Sequence, residues 1–91
     1  MMNNDVWYKY YLVTINSLVL SGGGVTVMIA YTYPVKCIGT NPIRYSKMIE
    51  KLRNMYVTGW QYSLGSEREV NKEEFEEFML VTNSGKNMFE F

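Results

Sequence analysis

Between Lys9 and Lys36 the chain runs for 26 residues without a formal charge. Such a run is either a membrane-spanning helix, which takes about 20 predominantly apolar residues, or a pair of strands. Thr14, Asn16, Ser17, Ser21, Gly22, Gly23 and Gly24 interrupt it, and consecutive glycines are poor helix formers. The start also lacks signal-peptide character, with Asp5 among its first residues and no small-x-small cleavage site. The single cysteine, Cys37, excludes an internal disulfide. A cytoplasmic protein that does not enter the membrane is the expectation.

Read as strands, the run makes a long N-terminal β-hairpin. Val6–Leu20 is rich in β-branched and aromatic residues. Tyr11, Val13 and Ile15 share one face, Leu12 and Thr14 the other. Fifteen residues is long for one strand, so a bend or bulge is expected, with Asn16-Ser17 as the candidate position. Ser21–Gly24 tolerates the positive φ of a turn. Val25, Val27, Ile29, Tyr31 and Tyr33 then alternate with Thr26, Met28, Ala30 and Thr32, a smaller and wetter set. Pro34 and Gly39 are expected to end this strand.

Thr40-Asn41-Pro42 signals a helix over residues 42–56, with Asn41 as N-cap and Pro42 at the first helical position. Tyr45, Met48, Ile49, Leu52, Met55 and Tyr56 form its apolar stripe, and Gly59 is placed to stop it. Trp60, Tyr62 and Leu64 alternate with Gln61 and Ser63 as a short third strand. A second helix starts at Asn71, with Glu74 positioned for a capping box and Val70 to staple on Phe75. Its stripe is Phe75, Phe78 and Met79. Met88–Phe91 reads as a last strand; alternatively Met79–Thr82 and Asn87–Phe91 form a second hairpin that shortens the helix.

The sum is one α+β domain over residues 1–91, order ββαβαβ: an antiparallel sheet of three to four strands with both helices on one face.

Catalytic constellations are hard to assemble from these residues. The chain has no histidine, which excludes Ser–His, Cys–His and His-ligated metal mechanisms. Gly22–Gly24 lacks the Gly-Lys-Ser/Thr and the following helix of a phosphate loop. Cys37 has only Lys36 beside it, weak support for an activated thiol. Glu67, Glu69, Glu73, Glu74, Glu76 and Glu77 lack the alternation and central glycine of a calcium loop. No metal, no cofactor and no enzymatic activity are expected.

What remains points to recognition. Residues 1–65 carry six basic and two acidic groups, and residues 66–91 three and seven. The net charge of zero therefore cancels +4 against −4. Arg44, Lys47 and Lys51 share a helical face suited to phosphates or an acidic partner. Glu73, Glu76 and Glu77 suit a basic one. Solvation, or neutralisation across the two helices, is the expected state of both sets. Trp60, Tyr62, Tyr31, Tyr33, Phe89 and Phe91 are candidate partner-binding residues, being of types enriched at interface centres. The first strand is apolar on both faces and a single helical layer covers one, so an uncovered face or edge is expected, open to a partner or a second copy.

The expected function is a small non-enzymatic protein-binding module, an inhibitor or adaptor acting on a host defence or housekeeping protein, with homo-oligomerisation a further expectation. Eight Asn and eight Tyr against one Ala suggest AT-rich codons, as in a low-GC bacterium or its phages and mobile elements. The alternative is a nucleic-acid or nucleotide binder using Arg44, Lys47 and Lys51, with Tyr45 or Trp60 stacking on bases. The neutral charge does not favour it.

Overall fold

The computed structural model describes residues 7–20, 23–24, 26–55 and 61–91. Strands β1 (Tyr8–Leu20) and β2 (Thr26–Ile38) form the expected hairpin, in continuous antiparallel register from Tyr8↔Ile38 to Leu20↔Thr26. Gly23 and Gly24 lie in the turn region with φ of 88° and 80°, where a Cβ would be strained. Helix α1 (Tyr45–Met55) follows, then β3 (Gln61–Val70), helix α2 (Lys72–Thr82), a short 3-10 turn at Gly85–Asn87, and β4 (Phe89–Glu90).

The sheet order is β3-β1-β2-β4, with β1 antiparallel to both neighbours. β4 runs parallel to β2, so the sheet is mixed rather than antiparallel throughout. The reason is β2's length. Pro34 does not end the strand, which continues to Ile38 and stops at Gly39 with φ 61°. The returning chain then meets the outer side of Lys36, where Phe91 N donates to Lys36 O (2.8 Å) and Ile38 N donates to Phe91 O (2.6 Å).

Two helices on one face is also corrected, because α1 and α2 sit on opposite faces. Along β1 successive side chains alternate. Val13 and Ile15 pack with Tyr33, Val35, Cys37 and Phe89 against Met48 and Leu52 of α1. Leu12 packs with Val70 and Phe75 of α2, flanked by Tyr10, Phe78 and Met79. Leu12 and Val70 would otherwise leave an apolar patch in water, and α2 begins just after Val70, which places it over that face.

Local details differ from the sequence reading in four places. The register shift falls between Thr14 and Ile15 of β1, not at Asn16-Ser17, and the extra residue is Gly65 on β3. A Cβ on Gly65 would lie 3.0 Å from the Asn16 side chain and 3.1 Å from the Thr14 carbonyl oxygen. β3 extends through Glu67, Arg68 and Glu69 to Val70, because an edge strand accommodates charge. α1 starts at Tyr45 and not at Pro42, so Asn41 is not its N-cap: 41–44 carry the chain around with Ile43 packed on the core, and the first helical bond runs from Met48 N to Arg44 O. In α2 the Asn71 side chain accepts from Glu74 N (2.7 Å), as expected of the cap. The Glu74 carboxylate turns to Arg68 instead of closing the box. The helix runs to Thr82 and ends on Asn83 at φ 54°, so the alternative hairpin is not formed. Tyr56, Gly59 and Trp60 lie outside the described residues.

Candidate interaction surface

Thirteen-residue strands at about 3.4 Å per residue reach roughly 44 Å. Eleven-residue helices at about 1.5 Å per residue reach roughly 16 Å. Each helix therefore covers one face near the base of the hairpin, and the distal part projects as an arm. The molecule measures 64 × 25 × 20 Å. Its radius of gyration is 15.3 Å, against about 12 Å for a compact chain of this length.

On the arm, Thr26–Tyr31 are all exposed, whereas Tyr33–Val35 are buried. Val27, Ile29 and Tyr31 crop out on the face that α1 covers lower down. Leu18 and Met28 crop out on the α2 face. Met28 is 64% exposed and Ile29 45%. Thr14 and Thr32, opposite each other, share a hydroxyl–hydroxyl hydrogen bond of 2.8 Å at the arm's base. Leu64 of β3 extends the apolar area beside Ile15. Loose apolar side chains are ordinary on protein surfaces, but here they cluster on both faces of one uncharged segment, which makes the arm a candidate contact surface.

The six aromatic candidates are divided by the fold. Tyr31 is exposed on the arm, its ring 4.7 Å from that of Tyr33. Tyr33 and Phe89 are core residues packed edge to face at 5.6 Å. Tyr62 and Phe91 are half-buried against the same core. Trp60 lies outside the described residues. Leu18, Val27, Met28, Ile29 and Leu64, which the sequence does not single out as candidates, are also exposed. The mismatch between hairpin length and helix length is the sequence signal for that exposure.

The charged candidates are dispersed. Arg44 is exposed but lies just before α1, so it does not share a helical face with the other two; Lys47 is exposed on α1, its Nζ 3.9 Å from Glu50 in the same helix. Lys51 lays its ammonium over the Phe89 ring at 5.1 Å. Glu73, Glu76 and Glu77 are exposed on α2. Neutralisation across the two helices is not formed, since the sheet lies between them. The ion pair that α2 makes runs to β3, with Arg68 and Glu74 at 2.7 Å. Glu67 and Glu69 project to the opposite face, opposite Val13 and Tyr11 of β1, so alternation splits the acidic run.

A separate hollow of about 590 Å³ lies at the base of the hairpin on the α2 side, between Trp7, Tyr8, Tyr10, Lys36, Lys72 and Glu76. Lys36 Nζ sits 4.0 Å from the Tyr8 ring centroid. Cys37 is fully buried in β2. Burial, followed by the nearby Glu67 charge, pushes its thiol above the usual range, and Lys9 only partly opposes this. The protonated form is a poor nucleophile. Among the described residues no group of three His, Cys, Asp or Glu side chains is gathered for a metal ion. No helix among them is long and apolar enough to cross a membrane.

Comparison of the chain with protein-family models, with characterised proteins and with solved structures gives no match in any of the three.

Proposed function

We propose that this chain is a non-enzymatic protein-binding module that engages its partner through the β-hairpin arm, as an inhibitor or adaptor of a host protein. The observation that carries the reading is the uncharged, exposed distal part of the hairpin, with Val27, Ile29 and Tyr31 on one face and Leu18 and Met28 on the other; along β2 it runs from about 7 Å (Tyr31) to about 20 Å (Val27) beyond the core residue Tyr33. A projecting two-faced arm suits insertion into a groove, where its aromatic and aliphatic side chains become anchors. The buried, protonated Cys37 and the scattered glutamates support binding rather than chemistry. The phosphate-binding alternative has less support, because Lys47 is beside Glu50 and Lys51 is turned onto Phe89.

The test is capture of proteins from a low-GC bacterial lysate by the immobilised full chain, compared with Met28→Glu. Met28 is exposed, so its replacement leaves the fold intact, and the reading predicts that retained proteins are lost. Equal capture by both chains would rule the arm out as the recognition surface.

A further inference from the structure

The arm has an edge as well as two faces. Lys36 O and Ile38 N both point away from β1, since both bond to Phe91. In a strand, the N–H and C=O of one residue point to the same side and alternate between neighbours. Thr26, Met28, Ala30, Thr32 and Pro34 therefore also present their backbone outward. Pro34 has no N–H to offer, and at this position the missing donor costs the β1 ladder nothing. β4 and Phe91 after it cover the edge only from Val35 to Ile38. From Thr26 to Thr32 the outward groups have no strand partner among the described residues.

Exposed, flat, apolar edges are normally guarded by charge, proline or a bulge, because they template pairing with another chain. The other edge of this sheet is guarded: β3 carries Glu67, Arg68 and Glu69, all exposed, and the Gly65 bulge. The β2 edge from Thr26 to Thr32 has no such guard. We infer that a second copy of this chain covers it, through antiparallel pairing of β2 with β2 about a two-fold axis at Ile29. This rests on the reading of the arm as an interaction surface: its faces are left for the host protein, and its edge takes the second copy.

Self-pairing satisfies the edge in a single register. With Ile29 opposite the partner's Ile29, Met28 faces the partner's Ala30 and Thr26 faces the partner's Thr32. All four outward-facing residues then exchange hydrogen bonds, about eight in total. On the α1 face Val27 meets the partner's Tyr31, a β-branched–aromatic pair of the favourable kind. No charged residue lies in the paired run, so like charges never oppose each other, as they easily do at a two-fold axis. Pairing with the β3 edge would instead set apolar residues against Glu67 and Glu69 and build an open, head-to-tail chain. The contact is seven residues long, about 24 Å, and its small size suggests micromolar association.

The full chain is examined by light scattering and sedimentation from about 1 to 200 µM. The expected mass rises from 10.7 kDa to a limit of about twice that value. Ala30→Pro removes an outward donor while leaving the β1 ladder whole. It should weaken association roughly 30-fold or more, the loss of two inter-chain hydrogen bonds, with unchanged circular dichroism. Should that variant fail to fold, oxidised Ile29→Cys provides the second reading. It places two thiols across the axis within disulfide reach and should cross-link fully, whereas Val27→Cys should not. A monomer throughout, a mass that grows without limit, or a cross-link at Val27→Cys but not Ile29→Cys would overturn the proposal. A monomer whose lysate capture is still lost in Met28→Glu would sink self-pairing alone. A monomer whose capture is insensitive to Met28→Glu would sink the arm reading with it.

Discussion

Phe75→Ala measures how much of the fold depends on the second, smaller core. Phe75 is the one buried side chain of α2 among the described residues, 2% exposed. It packs with Leu12 and Val70, and its ring lies 4.8 Å from that of Tyr10. Truncating a buried Phe costs about 3–5 kcal/mol, the transfer loss plus the cavity. The collapse that usually softens such losses is limited here by the sheet on one side and the helix backbone on the other. About 3–4 kcal/mol is therefore expected, a large part of the roughly 5–14 kcal/mol total for 91 residues. At about 4–8 °C per kcal/mol the melting temperature should fall by about 12 °C or more. Urea unfolding followed by circular dichroism reads the effect. Leu80→Ala, on the same helix but 82% exposed, is the internal control and should stay within about 0.5 kcal/mol. A Phe75→Ala cost below about 1.5 kcal/mol, or equal costs for the two variants, would refute the docking of α2 on this face.

Three further outcomes follow from single contacts. Asn71→Ala removes the acceptor for Glu74 N and should cost about 1 kcal/mol in the same urea assay, whereas Asn71→Asp should restore most of it. Gly65→Ala drives a Cβ toward the Thr14 carbonyl oxygen and the Asn16 side chain; a loss of about 1–2 kcal/mol is expected, partly relieved by Asn16→Ala. Cys37 keeps its proton in the folded state at pH values where the unfolded thiol loses it. Its contribution is whole below the unfolded value, about 8.5, and is lost as pH rises through the higher folded value. Unfolding midpoints should therefore fall above about pH 8.5, less steeply in Cys37→Ala, and iodoacetamide should label Cys37 only on unfolding.

The parts of the fold legible in the sequence are those fixed by neighbours in the chain. Alternation from Val27 to Tyr33 identified the hairpin, and Asn71 with Val70 and Phe75 located the start of α2. Met48, Leu52 and Phe75 are core, as their helical spacing required. Period-two patterning says that Leu12 and Val13 lie on different faces, but not which helix covers which. That choice depends on chain paths: 39–44 turn one way out of β2, and Asn71 turns the other way out of β3. The expected uncovered surface is real but runs lengthwise, at the tip of both faces, because short helices meet long strands. Tyr33 and Phe89 resemble Tyr31 and Phe91 in composition, and only their position along β2 and β4 separates core from surface. The parallel pairing of β4 was not legible, since two residues carry no directional pattern.

The central claim concerns the outer edge of β2, and residue-resolved amide hydrogen exchange tests it most directly. The N–H groups of Val27, Ile29 and Tyr31 point to β1 and should be protected at every protein concentration. Those of Met28, Ala30 and Thr32 point outward. Pairing through this edge predicts that their protection rises with concentration between about 1 and 200 µM until it approaches that of their neighbours. Outward amides that exchange at free-chain rates across the whole range, beside protected inward ones, would contradict it.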